Sequence, residues 1–255
     1  MRFKSKHIVV TGGGSGIGRA IAIRFASEGA VVSVLGRRLE PLQKTLLEVQ
    51  NVGGQGLITT CDIRDQSEVN RSFDGLISSN GPIDYMVANA GIGGANEPGP
   101  DDRFDAIIKT NVSGTYYSLR AAQNHLKPNA DTRMILVSSC LARFGVPGYT
   151  AYCASKSALL GLTKALSLEL APNTLVNAIC PGWVNTQMAR DGIQGMANAM
   201  GISYEEAHEQ AMSMVPMGRM STPQEIAGMV AWLCSEDSMG MTGQALDMNG
   251  GSWMG

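Results

Sequence analysis

The chain is short of the residues that hold metals, close disulfides or grip polyelectrolytes. It has three histidines (His7, His125, His208) and five cysteines (Cys61, Cys140, Cys153, Cys180, Cys234), with no CxxC pair among them. Neither a zinc set nor a disulfide framework can be assembled from that inventory. No metal is expected, and the thiols are expected to stay reduced, as in a cytoplasmic protein. Charged residues make up only 16% and the net charge is −2. Nucleic-acid binding, which needs a clustered excess of Lys and Arg, is not expected. No run of about 18 apolar residues argues for a membrane span. The opening MRFKSKHIVVTGGG enters an apolar run directly, without a signal-type segment. A GxSxG elbow is also missing, which removes the common serine-hydrolase layout.

Glycine is plentiful, at 31 of 255 residues, and so are short β-branched runs. HIVVT (7–11), AVVSVLG (30–36), GLITTCDI (56–63), IDYMVANA (83–90), RMILVSS (133–139), LVNAICPG (175–182) and QALDMNGG (244–251) read as strands. Most are apolar without alternation, the pattern of strands covered on both faces. Helical patterns lie between them at 16–29, 39–53, 67–81, 101–126, 152–171 and 222–236, and several stop at Gly. This alternation predicts one α/β domain over 1–255. Its expected form is a doubly wound, Rossmann-type parallel sheet of about seven strands with helices on both faces. The Met-rich stretch 186–221 breaks the alternation. It follows a strand's carboxyl end, where ligands bind in such sheets, and is read as a substrate lid; a plain surface helical pair is the alternative.

The first strand runs into Gly12-Gly13-Gly14-Ser15-Gly16-Ile17-Gly18 and then a helix. Such a turn brings backbone close to a pyrophosphate, whose charge sits on the helix N-terminus. Thr11-Gly-x-x-x-Gly16-x-Gly18 resembles the cofactor loop of the short-chain dehydrogenase/reductase family, and of its ketoreductase and carbonyl reductase members. Further motifs follow in the family order: Asp62-Ile63, Asn89-Ala90-Gly91, Asn111, Ser139, Tyr152-x-x-x-Lys156 and Pro181-Gly182-x-Val184-x-Thr186. The likeness extends to the closing TGQALDMNGG (242–251), and 205–233 resembles the matching part of type II polyketide ketoreductases.

The resemblance implies roles for these residues. Gly12, Ser15, Gly16, Ile17 and Gly18 would meet the pyrophosphate, Asp62 with Ile63 the adenine, and Asn89, Ala90 and Gly91 the adenosine side. Pro181, Gly182, Val184 and Thr186 would border the nicotinamide. Asn111, Ser139, Tyr152 and Lys156 would be the catalytic set, with Asn111 holding a water, or else merely bonding a nearby carbonyl, and Lys156 holding the nicotinamide ribose. A homotetramer built through the YxxxK helix and the C-terminal strand and helix is implied as well.

The second strand ends Leu35-Gly36-Arg37-Arg38, with no acid at its tip. Arg37, with Arg38 beside it, offers a fork of donors to a 2′-phosphate, so NADP(H) is favoured and NAD(H) remains possible. Glu40 is expected to start the next helix, facing solvent. Tyr152 and Lys156 stand at i and i+4 on one helix face. An adjacent ammonium, assisted by the positive ring of oxidised nicotinamide, should lower a phenol from its ordinary value of about 10, letting Tyr152 act as acid in reduction and base in oxidation. Ser139 precedes Tyr152 by thirteen residues, the family spacing, and can donate to the substrate oxygen. Ser138 competes for that role. Leu141, Phe144, Trp183 and Met188 are expected to line an apolar pocket around Ser139 and Tyr152. Arg143 and Arg190 are the candidates for holding a substrate carboxylate.

The expected activity is hydride transfer between NADP(H) and a small or medium carbonyl or secondary alcohol. The alternatives are an NAD-dependent alcohol dehydrogenase of the same family and a non-catalytic dinucleotide-binding protein.

Overall fold

A computed structural model describes residues 1–255. The β-branched runs form β1 (His7–Thr11), β2 (Val31–Gly36), β3 (Gln55–Thr60), β4 (Tyr85–Ala88), β5 (Thr132–Val137), β6 (Thr174–Pro181) and β7 (Ala245–Met248). All pair in parallel in one sheet, in the order β3-β2-β1-β4-β5-β6-β7. Every expected strand is present, so the doubly wound α/β reading stands. The third is shorter than its apolar run: it stops at Thr60, and Cys61 to Ile63 leave the sheet as a loop.

The helices are α1 (Gly16–Ser27), α2 (Leu39–Asn51), α3 (Gln66–Asn80), α4 (Phe104–Ile108), α5 (Thr115–Gln123), α6 (Thr150–Leu170), α7 (Gln187–Met200), α8 (Tyr204–Ser213) and α9 (Pro223–Leu233). Local chemistry sets several ends. Thr222 and Glu225 form a capping box before α9, with Pro223 at its first position, and Ser203 with Glu206 does the same for α8. Gly201, at φ 66, ends α7 in the left-handed conformation that L side chains avoid.

The pleat divides each strand between two cores. In β5, Ile135 and Val137 join the cluster under α1 and α9, containing Phe25, Val32 and Val230. Met134 and Leu136 join the opposite cluster, with Phe73, Leu119 and Leu159 from α3, α5 and α6. Burial on both faces explains why these strands lack alternation.

The helix expected over 101–126 is not uniform. It starts as α4, widens into a π-helical segment at Lys109–Gly114, and resumes as α5. Gly114 lets this segment press on the loop after β3: a Cβ there would lie 2.7 Å from Ile63 Cγ1. Asn111 sits in the widened turn, fully buried.

Between β6 and α9, α7 and α8 form a helical pair with its own small core of Ile193, Ala197, Ala207, Ala211, Met212 and Val215. A bridge between Val184 and Ser221 ties the base of this excursion. No helix is long and apolar enough to cross a membrane.

Candidate active site

The strand order reverses between β1 and β4, so the loops after these two strands part and open a crevice at their carboxyl ends. Side chains lace the two loops together. Thr11 Oγ1 accepts from the amides of Asn89 (3.1 Å) and Ala90 (3.2 Å), and Asn89 Nδ2 donates to the carbonyls of Thr11 (3.0 Å) and Gly12 (3.2 Å). Gly12 has φ +66, and a Cβ on it would lie 2.7 Å from Ala90 Cα, so no other residue fits this crossing. Beyond it the amides of Gly16, Ile17 and Gly18 open α1 without any acceptor in the chain, and Ser15 makes no side-chain cap. Free donors at a helix N-terminus suit a pyrophosphate, so this loop fits a dinucleotide.

At the tip of β2, Arg37 and Arg38 are exposed and make no ion pair or side-chain hydrogen bond. Glu40 turns away to Lys44 at 2.8 Å, in full contact with solvent, as expected of a helix-starting acid. Asp62 lies nearby but is already gripped by Arg64, whose Nε and Nη2 donate to both carboxylate oxygens at 2.6–3.0 Å. That guanidinium holds the Asp62 carboxyl below its usual range, and Arg37 adds to the effect. Arg64 escaped the sequence reading because the pairing depends on the loop after β3. Ile63 is buried against Gly114, so only its backbone can face a ligand.

Tyr152 and Lys156 come from the first turns of α6. Lys156 is 5% exposed, and its Nζ donates to the Val137 carbonyl at 2.9 Å, 5.7 Å from the centre of the Tyr152 ring. A Cβ on Gly91 would lie 3.1 Å from Asn111 Oδ1 and 3.5 Å from Lys156 Nζ, so all three meet at one point. The lysine by itself does not lower Tyr152 in this environment. Burial pushes the phenol up to about 12, partly offset by the Ser139 hydroxyl beside it, and burial likewise brings Lys156 down to about 8. Loss of water outweighs the i,i+4 attraction because the ammonium is directed at a strand-end carbonyl.

The two serines separate cleanly. Ser138 donates to the Lys156 carbonyl at 2.8 Å and so braces α6. Ser139 caps the Cys140–Ala142 turn by accepting from Leu141 N at 3.2 Å, and its hydroxyl faces Tyr152. Asn111 clamps the loop after β4: Oδ1 accepts from Ile92 N (2.8 Å), while Nδ2 donates to the Ile92 carbonyl (2.9 Å) and to Ser155 Oγ (3.0 Å). Ser155, buried on α6, was not singled out from sequence.

Leu141 and Phe144 are half-buried just after Ser139. Met188, on α7, reaches over Tyr152: a Cβ on Gly93 would lie 3.0 Å from Met188 Sδ and 3.6 Å from Tyr152 Cε2. Gly93 is therefore part of the site, though nothing in its sequence context marks it. Trp183 packs with the α7–α8 core and lies against Gly192. Val184 is 5% exposed and belongs to the α1–α9 core, so its side chain is not available to a ligand. Pro181 ends β6, and Gly182 passes so close to Asn249 that a Cβ would sit 2.8 Å from its Cα.

Both arginines considered for a substrate carboxylate have partners within the chain. Arg143 is bound to Asp247 (3.1 Å) and the Ala245 carbonyl (2.7 Å), and lies over Trp253. Arg190 instead lines a cavity of about 340 Å³ on the glycine-loop side, with Ser15, Gly16, Arg19 and Thr186.

The chain is similar to known proteins over nearly its whole length. Residues 12–252 match the family model described as Enoyl-(Acyl carrier protein) reductase. The crystal structure of a single-substitution variant of actinorhodin polyketide ketoreductase with NADPH superimposes with a TM-score of 0.92 at 35% identity, covering 97% of each chain. An NAD+-bound xylitol dehydrogenase gives 0.93 at 32% identity, covering 98% of this chain and all (100%) of the other. A 3-oxoacyl-[acyl-carrier-protein] reductase of Thermotoga maritima is 31% identical, over 98% of this chain and 99% of its own.

Proposed function

This chain belongs to the short-chain dehydrogenase/reductase family as an NAD(P)-dependent oxidoreductase acting on CH–OH groups, and from that premise we propose that it is an NADP(H)-dependent ketoreductase. The observation that carries the reading is the Ser139 hydroxyl facing the Tyr152 phenol, with Lys156 Nζ 5.7 Å from the centre of that ring. Reduced nicotinamide, when bound, supplies a hydride. The chain's own residues manage the oxygen. Ser139 donates a hydrogen bond to the substrate carbonyl oxygen, and Tyr152 gives that oxygen its phenolic proton as the carbon becomes a secondary alcohol. A phenol held at about 12 is fully protonated at neutral pH, the state that donation requires. Lys156 and Asn111, meeting at Gly91, form the path by which Tyr152 regains a proton. The helical pair α7–α8 serves as the substrate lid, and the Leu141, Phe144 and Met188 side chains favour an apolar substrate of small to medium size.

The preference for NADP(H) rests on Arg37 and Arg38, free of partners, with Glu40 tied to Lys44. Likeness to an NAD+-bound xylitol dehydrogenase supports a second reading, an NAD-dependent alcohol dehydrogenase with the same catalytic groups. Fluorescence titration with NADPH and NADH separates them. The expected result is NADPH binding tighter by about ten- to a hundredfold, the worth of one charge-assisted pair; equal or tighter NADH binding would put the second reading first. The chain is further proposed to form a homotetramer. Leu168 on α6 is 85% exposed and β7 is an open sheet edge, both in need of cover. Light scattering that gave a monomer mass would overturn this.

A further inference from the structure

We infer that Arg190 is a latch through which the lid registers the bound dinucleotide: its guanidinium takes an oxygen of the pyrophosphate and so fixes α7 in place. The inference rests on the cofactor reading above. It starts from where α7 begins. Gly16, at φ +52, lies so close to Thr186 that a Cβ on it would be 3.1 Å from Thr186 Cγ2, and Thr186 caps α7 by accepting from Ala189 N. The first turn of the lid therefore stands directly over the glycine loop, and Arg190 is one turn further on.

The Arg190 side chain is exposed, but its direction is held by neighbours. Nη1 donates to Asn185 Oδ1 at 2.9 Å, and Nε and Nη2 donate to Gln187 Oε1 at 3.4 and 3.3 Å. Gln187 is held in turn by Asp191, to which its Nε2 donates at 2.7 Å. The partners of Arg190 are neutral amides and no carboxylate lies within 4 Å, so its direction is set while its charge is left uncompensated. Arg19, on the opposite wall of the same cavity, is the contrast. It is neutralised by Glu48 at 3.1 Å and further bound to Thr45 and the Gly14 carbonyl. Of the two cations lining the cavity beside Ser15 and Gly16, which also holds the Glu48 carboxylate, Arg190 is the one without an ion-pair partner, and the Gly16 amide there lacks an acceptor. A guanidinium pre-aimed by neutral groups loses little freedom on meeting a phosphate oxygen, which is where such a side chain binds most effectively.

The consequence reaches the lid because Ile193, three residues beyond Arg190, is fully buried in the small α7–α8 core. Fixing the first turn of α7 fixes that core, and with it Met188 above Tyr152. Cofactor binding would then order the substrate pocket before the substrate arrives.

Arg190→Gln, Arg190→Lys and Arg37→Gln separate this from other roles. Affinities for NADPH, NADH and adenosine 2′-monophosphate are read by fluorescence or calorimetry, and backbone hydrogen exchange is followed over residues 187–213. Arg190→Gln should weaken NADPH and NADH alike by about tenfold and leave the monophosphate unchanged; Arg37→Gln should weaken only the 2′-phosphorylated ligands. NADPH should slow exchange across α7 in the wild type and not in Arg190→Gln, with Arg190→Lys in between. Unchanged affinity for both dinucleotides in Arg190→Gln would overturn the latch, and so would a loss confined to NADPH, which would make Arg190 a second 2′-phosphate ligand. A wild type that bound neither dinucleotide would overturn the cofactor reading itself, and the latch with it.

Discussion

The catalytic shelf and the lid are built on opposite terms, although they meet at Tyr152. On the shelf, strand ends and α6 are joined by buried polar groups, each with a named partner: Asn111 with Ile92 and Ser155, Ser138 with the Lys156 carbonyl, Lys156 with the Val137 carbonyl. The lid's own core is six residues, mostly Ala, Ile and Met, under a polar surface of short i,i+4 bonds such as Gln194 to Asn198. Buried directional bonds hold atoms to a fixed geometry, whereas a small apolar core with exposed methionines can repack around different shapes. The shelf is made for one reaction and the lid for choosing what undergoes it.

Breaking the shelf should have the largest effect. Tyr152→Phe removes the proton donor together with its contact to the Ser139 hydroxyl, so turnover should fall by about 10²–10⁴-fold with NADPH affinity unchanged; a variant that kept its rate would dismiss Tyr152 as the acid. Next comes Asn111→Ala, which orphans the Ile92 amide and carbonyl. With buried unsatisfied groups costing about 1–3 kcal/mol each, a loss of about 3 kcal/mol is expected, and calorimetry should show Tm lower by about 6–12 °C. The matching change on the lid, Asn198→Ala, breaks only an exposed bond and should stay within about 0.5 kcal/mol of the wild type. If both variants melted alike, the contrast between the two regions would be lost.

The pH dependence sharpens the shelf further. Lys156 sits at about 8 and Tyr152 at about 12, so between these values the phenol keeps its proton while the amine loses its charge. Reductive kcat/KM should be flat below pH 8 and fall about tenfold per unit above it, a single-proton loss; a flat profile to pH 10 would show that the charge of Lys156 is not needed. The smallest effect is expected at the lid. Met188→Ala opens the space over Tyr152 and should shift kcat/KM by about three- to tenfold, downward for small ketones and upward for bulky ones. A uniform loss across substrates would mean that Met188 supports the shelf rather than selecting the substrate.

Much of this was legible in the chain. The strand runs, the glycine loop and the order of motifs through Tyr152 and Lys156 are local patterns, and period and spacing report them well. Strand and helix limits were less legible. Cys61 to Ile63 look like strand but leave the sheet because β3 pairs with β2 only as far as Thr60, opposite Gly36. The π-helical segment at Lys109–Gly114 is likewise invisible, since it arises where Asn111 must reach Ile92 and Ser155 on other elements.

By itself the sequence determined the family of folds, the identity of the chemical groups and their order, because each of these is carried by residues close together in the chain. Only the tertiary structure decided which groups are free to act. Arg143 and Arg190 look equivalent in sequence, yet one is neutralised by Asp247 from the far end of the chain and the other is held open by neutral amides beside the glycine loop. Ser138 and Ser139 are neighbours, and the pleat turns one to brace α6 and the other to face Tyr152. The state of Tyr152 follows the same logic. Its neighbour at i+4 would lower the phenol in water, but burial created by distant segments raises it, since the cost of desolvating a charge exceeds what a lysine aimed elsewhere returns.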